Sequence, residues 1–259
     1  MSASGVRHGR IVVAFDPQRP DPAPLRLGLP LARSLSQALC ALYVEEEDTL
    51  ALGGFGCLAT VSVATGAARP LSRESLERDF RRLERQARAA FTRVVAGAAA
   101  EFTTVRGRLT DELRRAGADA SVVLTGRPAD GCAGRGEALR VLDALLPLPA
   151  ALAGLIASPR ATATGLMLVL RPERFAHGDA ARDPPLLAAA QEALAATGTP
   201  ARRISGRGVT AAGLLPALRG ERIGTLLIER GAIADERALI GELLSAWPGS
   251  LLVLRGDED

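Results

Sequence analysis

Ser121–Gly136 reads SVVLTGRPADGCAGRG, an apolar run followed by glycines at 126, 131, 134 and 136. Many α/β proteins hold a phosphate where a buried strand runs into such a loop. Close backbone N–H groups and the start of a helix stabilise the negative charge there. The stretch admits two readings. It is a ligand loop at the carboxyl edge of a parallel sheet, or a connection in which glycine supplies positive-φ turns. Arg127 and Arg135 are the nearby cations that could serve a phosphate.

The flanking sequence repeats the pattern of apolar run, turn and helix. RIVVAF (Arg10–Phe15) reads as a buried strand ending at Asp16, and ALCALYV (Ala38–Val44) as a second, closed by the acidic run EEED. Leu25–Leu35 between them has helical spacing, with Pro30 inside it. Thr49–Pro70 has no clean period and reads as a long, partly apolar loop. From Ser72, apolar residues at 76, 80, 83, 87, 90, 91 and 94 mark an amphipathic helix to about Ala99, with Ser72 or Ser75 as N-cap. Glu101–Arg106 is a strand, Leu109–Ala116 a short helix, Ala120–Thr125 the opening strand and Glu137–Leu146 a helix. Gly165–Leu170, Ala201–Ser205, Gly224–Glu229 and Gly249–Leu254 are further strands. Helices at Pro185–Thr197, Gly208–Leu218 and Asp235–Ala246 lie between them. Strands alternating with helices predict an α/β protein, parallel twisted sheets with helices on both faces.

Composition narrows the chemistry. The 259 residues include 32 basic ones, every one arginine, and no lysine or asparagine. A P-loop lysine, a Schiff base and a lysine general base are excluded. The high pI follows from arginine, since net charge is only +3 and the arginines are interspersed with acids. With 3% aromatics there is little to stack on bases, so no nucleic-acid partner is expected. Only His8 and His177 exist, so no Ser/His/Asp or Cys/His constellation can be built. Cys40, Cys57 and Cys132 are odd in number and lack CxxC spacing, which argues against a disulfide framework or a zinc site and fits a reducing cytoplasm. MSASGVRHGR is polar, so no signal peptide is expected. Val141–Ala157 is weakly polar but carries Asp143, Pro147 and Pro149. It is expected to be buried or partner-covered rather than inserted in a membrane.

Val105–Arg127 (VRGRLTDELRRAGADASVVLTGR) and Ile204–Arg230 (ISGRGVTAAGLLPALRGERIGTLLIER) share one order: strand, Gly-Arg, short helix, polar turn, apolar strand. This reads as an internal duplication. Ahead of that unit the first half spends about 55 more residues than the second, roughly one strand and one long helix.

On these residues the chain resembles the universal stress protein family in a degenerate tandem form. RIVVAFD matches the family's first strand, ALCALYV its second, TTVRGRLTDELRRAGADASVVLTG its third through fourth, and GTLLIERG…LLSAWPGSLLVLR its closing strand–helix–strand. The resemblance implies a Rossmann-like fold in two unequal copies, residues 1–160 and a shortened 161–259 without one strand and the long helix. It implies an adenine contact at Asp16, backbone contacts near Val44, and a G-x2-G-x9-G-[ST] phosphate loop after the fourth strand. Gly126, Arg127, Gly131, Gly134 and Arg135 are the residues available for that loop. The loop departs from the pattern: Ala129 follows Gly126 at the x2-G position, and Ala144-Leu145 stands where G-[ST] belongs after Gly134. In the second copy the corresponding places hold Arg171-Pro172 and Glu229-Arg230-Gly231. The expectation is a non-catalytic stress-response or regulatory protein of the cytoplasm, with no cofactor and no metal. It would work by binding a protein partner or a second copy of itself. Gly249–Leu254 is a candidate edge strand for pairing, though the two halves could pair with each other instead. The alternative is an ATP-binding switch or weak ATPase using Asp16 and the Gly126–Gly136 loop. A third reading is a regulator of a transporter, docking through residues 49–70 and Val141–Ala157.

Overall fold

The computed structural model describes residues 9–62, 64–127, 132–157, 166–171, 185–195, 201–205, 209–221, 223–233 and 235–255. Gly131, His8 and His177 lie outside them. Ile11 to Ala14 of β1 (Arg10–Ala14) are solvent-free because β1 lies between β2 (Ala38–Glu46) and β6 (Ala120–Gly126), parallel to both. Ile11 and Val13 point to one face, Val12 and Ala14 to the other, the two-residue alternation of a strand. Both sets are apolar because helices cover both faces. One face carries α1 (Ala23–Ser34), α3 (Arg73–Val95) and α6 (Pro185–Ala195). The other carries α4 (Leu109–Gly117), α5 (Cys132–Leu145), α7 (Ala211–Gly220) and α8 (Glu236–Ala246).

Among the described residues one sheet of nine strands runs through the molecule. It adds β5 (Ala100–Gly107), β7 (Leu152–Ile156), β8 (Leu166–Arg171), β9 (Ala201–Ser205), β10 (Ile223–Glu229) and β11 (Ser250–Leu254), in the order β5-β2-β1-β6-β7-β11-β10-β8-β9. Every neighbouring pair is parallel except β7 with β11, where Leu152 lies opposite Leu254 and Leu155 opposite Leu251. Outward from β7 the order is β6, β1, β2, β5; outward from β11 it is β10, β8, β9. The predicted α/β class with helices on both faces is the observed one.

Several elements differ from the sequence expectation. Gly249–Leu254 is not an edge strand, since β11 is bonded on both sides, to β10 and β7. Val141–Ala157 is buried, as one of its two expectations had it, with Val141, Leu142, Leu145 and Leu148 packed under the sheet, but its tail is a strand the sequence did not suggest, β7. Residues 49–70 are not one loop. The helix α2 (Glu47–Leu52) leads to a separate antiparallel ribbon of β3 (Ala59–Val61) and β4 (Ala68–Pro70). A Cβ on Gly53 would lie 2.6 Å from Arg73 Cα, so the base of this excursion rests on the start of α3. Ser72 caps α3, accepting from Ser75 N–H at 3.1 Å while the Ser75 hydroxyl answers Ser72 N–H. The helix stops at Val95 because Ala96 and Gly97 take positive φ, 25° and 85°.

The β7–β11 seam constrains its side chains. A Cβ at Gly154 would run into the buried Leu252 side chain and come within 3.1 Å of Leu124 Cδ2 and 3.2 Å of the Leu251 carbonyl oxygen. Overpacking such a site costs about 1–3 kcal/mol. Gly154→Val is expected to lower stability by at least that amount in urea titration, with the whole sheet unfolding earlier.

Candidate functional site

At the carboxyl edge of the first half, β1 ends and Asp16 turns the chain. Its Oδ1 accepts from the N–H of Gln18 at 2.8 Å and of Arg19 at 3.2 Å. Gly126 closes the adjacent β6, and a Cβ there would lie 3.5 Å from Asp16 Cβ. Val44 lies fully buried in β2, one strand over from β1. Two residues on, Glu46 accepts from Leu109 N–H at 2.9 Å, at the positive start of α4. Its neighbours in the acidic run turn outward, Glu45 to Arg106 at 2.8 Å and Asp48 to Arg108 at 3.2 Å. α5 begins at Cys132, five residues earlier than its period predicts. Gly134 and Arg135 therefore lie within a helix and not in a loop.

Glu137 of α5 completes the place. Burial pushes its carboxyl above the ordinary 4.5; Asp16 and Glu46 repel its charge and push the same way, while Arg140 opposes them. Burial also raises Asp16, against the two N–H groups that favour its charge, and raises Glu46, against the Leu109 N–H. Three carboxyls thus sense one low-dielectric region. Asp16 was legible in the sequence. Glu46 and Glu137 were not, being 91 residues apart on separate elements with no spacing to join them. Among the described residues no group of three or more His, Cys, Asp or Glu could hold a metal ion.

Arg127 is committed elsewhere. Its guanidinium donates to the Leu244 carbonyl at the end of α8 at 2.8 Å and to the Gly249 carbonyl before β11 at 2.7 Å. Its own N–H bonds to the Ile156 carbonyl of β7. Arg230, the residue after β10, is placed similarly: its N–H reaches the Leu254 carbonyl, and its guanidinium approaches the Leu146 carbonyl just past α5 at 3.4 Å. Each arginine follows an inner strand and reaches across the seam to the opposite half.

At the carboxyl edge of the strands beyond β11, Arg171 ends β8 and Glu229 ends the neighbouring β10. Arg171 Nε donates to Glu229 Oε2 at 2.7 Å, and the side chains are 3% and 4% exposed. An arginine and a glutamate thus occupy each other at this edge.

Neither a protein-family model nor a curated protein matches the sequence. Solved structures match the fold. A universal stress protein from Archaeoglobus fulgidus superimposes with a TM-score of 0.52 at 10% identity, over 96% of this chain and 97% of that one. The chain has the universal-stress-protein fold. A functionally unknown protein from Pseudomonas aeruginosa gives a TM-score of 0.54 at 10% identity, over 97% of this chain and 94% of that one. Among the described residues no helix is long and apolar enough to cross a membrane.

Two measurements test the electrostatics. Removing one member of a buried ion pair costs about 3–5 kcal/mol, whereas an apolar replacement of both is near neutral. Arg171→Met should lose stability on that scale in urea titration, and Arg171→Met with Glu229→Leu should regain most of it. A carboxyl whose folded-state pKa is raised supports the fold while protonated and loses that support as pH climbs through the raised value. Glu137→Gln should therefore melt higher than the parent chain at neutral pH. The gain should shrink as pH falls and vanish below the ordinary 4.5.

Proposed function

We propose that this protein is a non-catalytic regulatory or stress-response protein of the universal stress type that acts by binding protein, its nucleotide position no longer used. The observation that carries the reading is the gathering of Asp16, Glu46 and Glu137, each with a raised pKa, at the edge where the fold family places a nucleotide. A triphosphate set among these carboxyls meets like charge in a partly desolvated place. Lysine is absent from the chain, and Arg127 spends its donors on backbone carbonyls. The second half's position is filled by Arg171 and Glu229.

The reading includes a tandem origin. The strand order outward from the seam, the paired reach of Arg127 and Arg230, and the direct pairing of β8 with β9 support two unequal copies, residues 1–160 and 161–259. In the first half β2 lies between the strands that correspond to β8 and β9. A cytoplasmic setting belongs to the same reading.

An ATP-binding switch or weak ATPase is the second reading. Asp16 stands beside Gly126, and helix α5 follows in the chain, an arrangement that favours an anion when cations are supplied. Calorimetric titration with Mg-ATP decides. The proposal expects no heat of binding, no thermal shift with any adenine nucleotide and no ATP turnover. Tight binding that is lost in Asp16→Ala overturns it in favour of the switch.

A further inference from the structure

All four large hydrophobic side chains that stand exposed among the described residues fall within ten positions: Leu52, Phe55, Leu58 and Val61, the last 62% exposed. No charged residue occurs from Thr49 to Ala68 in a chain that is 24% charged. Scattered exposed apolar residues are ordinary, but a contiguous uncharged group of them marks a contact surface. Such a surface gives an acidic or basic partner nothing to recognise. It meets its own copy without like-charge repulsion.

The backbone narrows the choice further. The β3–β4 ribbon has only three residues per strand, all six exposed, and is not bonded to the main sheet. A two-stranded ribbon this short is marginal without further strands. Leu71 N–H donates to the Leu58 carbonyl at 2.9 Å and Ser62 N–H to the Ala67 carbonyl at 3.0 Å. By antiparallel alternation, Ala59 and Val61 turn their N–H and C=O groups away from β4. On the outer side of β4 the corresponding residues are Ala68 and Pro70, and Pro70 has no N–H to offer. Arg69 guards that strand as well. The outer strands of the main sheet carry similar blocks: Glu101 and Arg106 on β5, Arg202 on β9. The outer edge of β3 carries none.

We infer that β3 is a dimerisation edge, and that a second copy of this chain adds its own β3 across a two-fold axis at Thr60. The two ribbons become one four-stranded antiparallel sheet. Ala59 of each copy exchanges both backbone hydrogen bonds with Val61 of the other, and the exposed apolar side chains around the edge lose water. A two-fold axis makes identical strands antiparallel, so the geometry needs no further adjustment. The inference deepens the binding role proposed above and rests on it only in that the chain works through a protein contact. Nucleotide plays no part in its test.

Sedimentation equilibrium of the full chain is expected to show a reversible dimer. Val61→Pro removes an outward N–H from each copy and should weaken the dimer by on the order of tenfold or more. Val61→Glu, which sets two carboxylates close across the axis, should do the same. Ala68→Pro removes the equivalent N–H from the outer edge of β4 and should leave the dimer unchanged. Unaltered thermal melts confirm that the variants fold. A parent chain that stays monomeric into the high micromolar range overturns the inference, as does a dimer that both Val61 variants leave intact. Either result leaves the proposed binding role standing with a different partner or surface.

Discussion

β7 and β11 run antiparallel, and no other neighbours among the nine strands do. The pairing turns two sets of parallel strands into one sheet, because each half offers its closing strand to the other. Without it both strands would be apolar edges, Leu-rich and open to pairing with other chains. The seam also sets what neighbouring residues must be. Gly154 has to lack a side chain because Leu252, Leu124 and the Leu251 carbonyl fill the space. Arg127 and Arg230 have to reach across, and in doing so they satisfy carbonyls at the ends of α8 and α5 that would otherwise lack donors.

The same residues bear on chemistry. An arginine after a strand's carboxyl end lies where a phosphate cation would be useful. Arg127 binds Leu244 and Gly249 carbonyls at 2.7–2.8 Å, so its charge strengthens the contact between halves. At the first edge burial raises the carboxyls of Asp16, Glu46 and Glu137, and the charges of Asp16 and Glu46 raise Glu137 further. At the second, Arg171 and Glu229 neutralise each other out of water. The first edge thus gathers carboxyls, and the second holds a self-neutralised pair.

The α/β class was legible from the sequence because RIVVAF, ALCALYV and SVVLTG are short apolar runs ended by Asp, acid or glycine, and Ser72 opens an unambiguous amphipathic helix. β7 was not, because LAGLI follows prolines in an Ala/Leu stretch that carries no two-residue alternation, both faces being buried. The β3–β4 ribbon was not, because three residues set no period. Asp16 and Gly126 were found by their place at strand ends. The companions Glu46 and Glu137, and the partners of Arg127 more than 100 residues away, depend on which strands are neighbours, and a single sequence does not carry that. Gly134 and Arg135 looked like loop because glycine lowers helix propensity, yet packing of Ala138, Val141, Leu142 and Leu145 sustains the helix from Cys132.

Tyr43 is the chain's single tyrosine and Trp247 its single tryptophan. Tyr43 is wholly buried in β2, its hydroxyl donating to the Pro17 carbonyl at 3.2 Å. Trp247 packs over Gly249 between α8 and β11, its indole N–H donating to the Ile223 carbonyl at 3.3 Å. Each half thus contains one strongly absorbing ring, held in a dry site on its own side of the seam. The molecule carries a separate optical label for each half, with no dye attached and no residue exchanged.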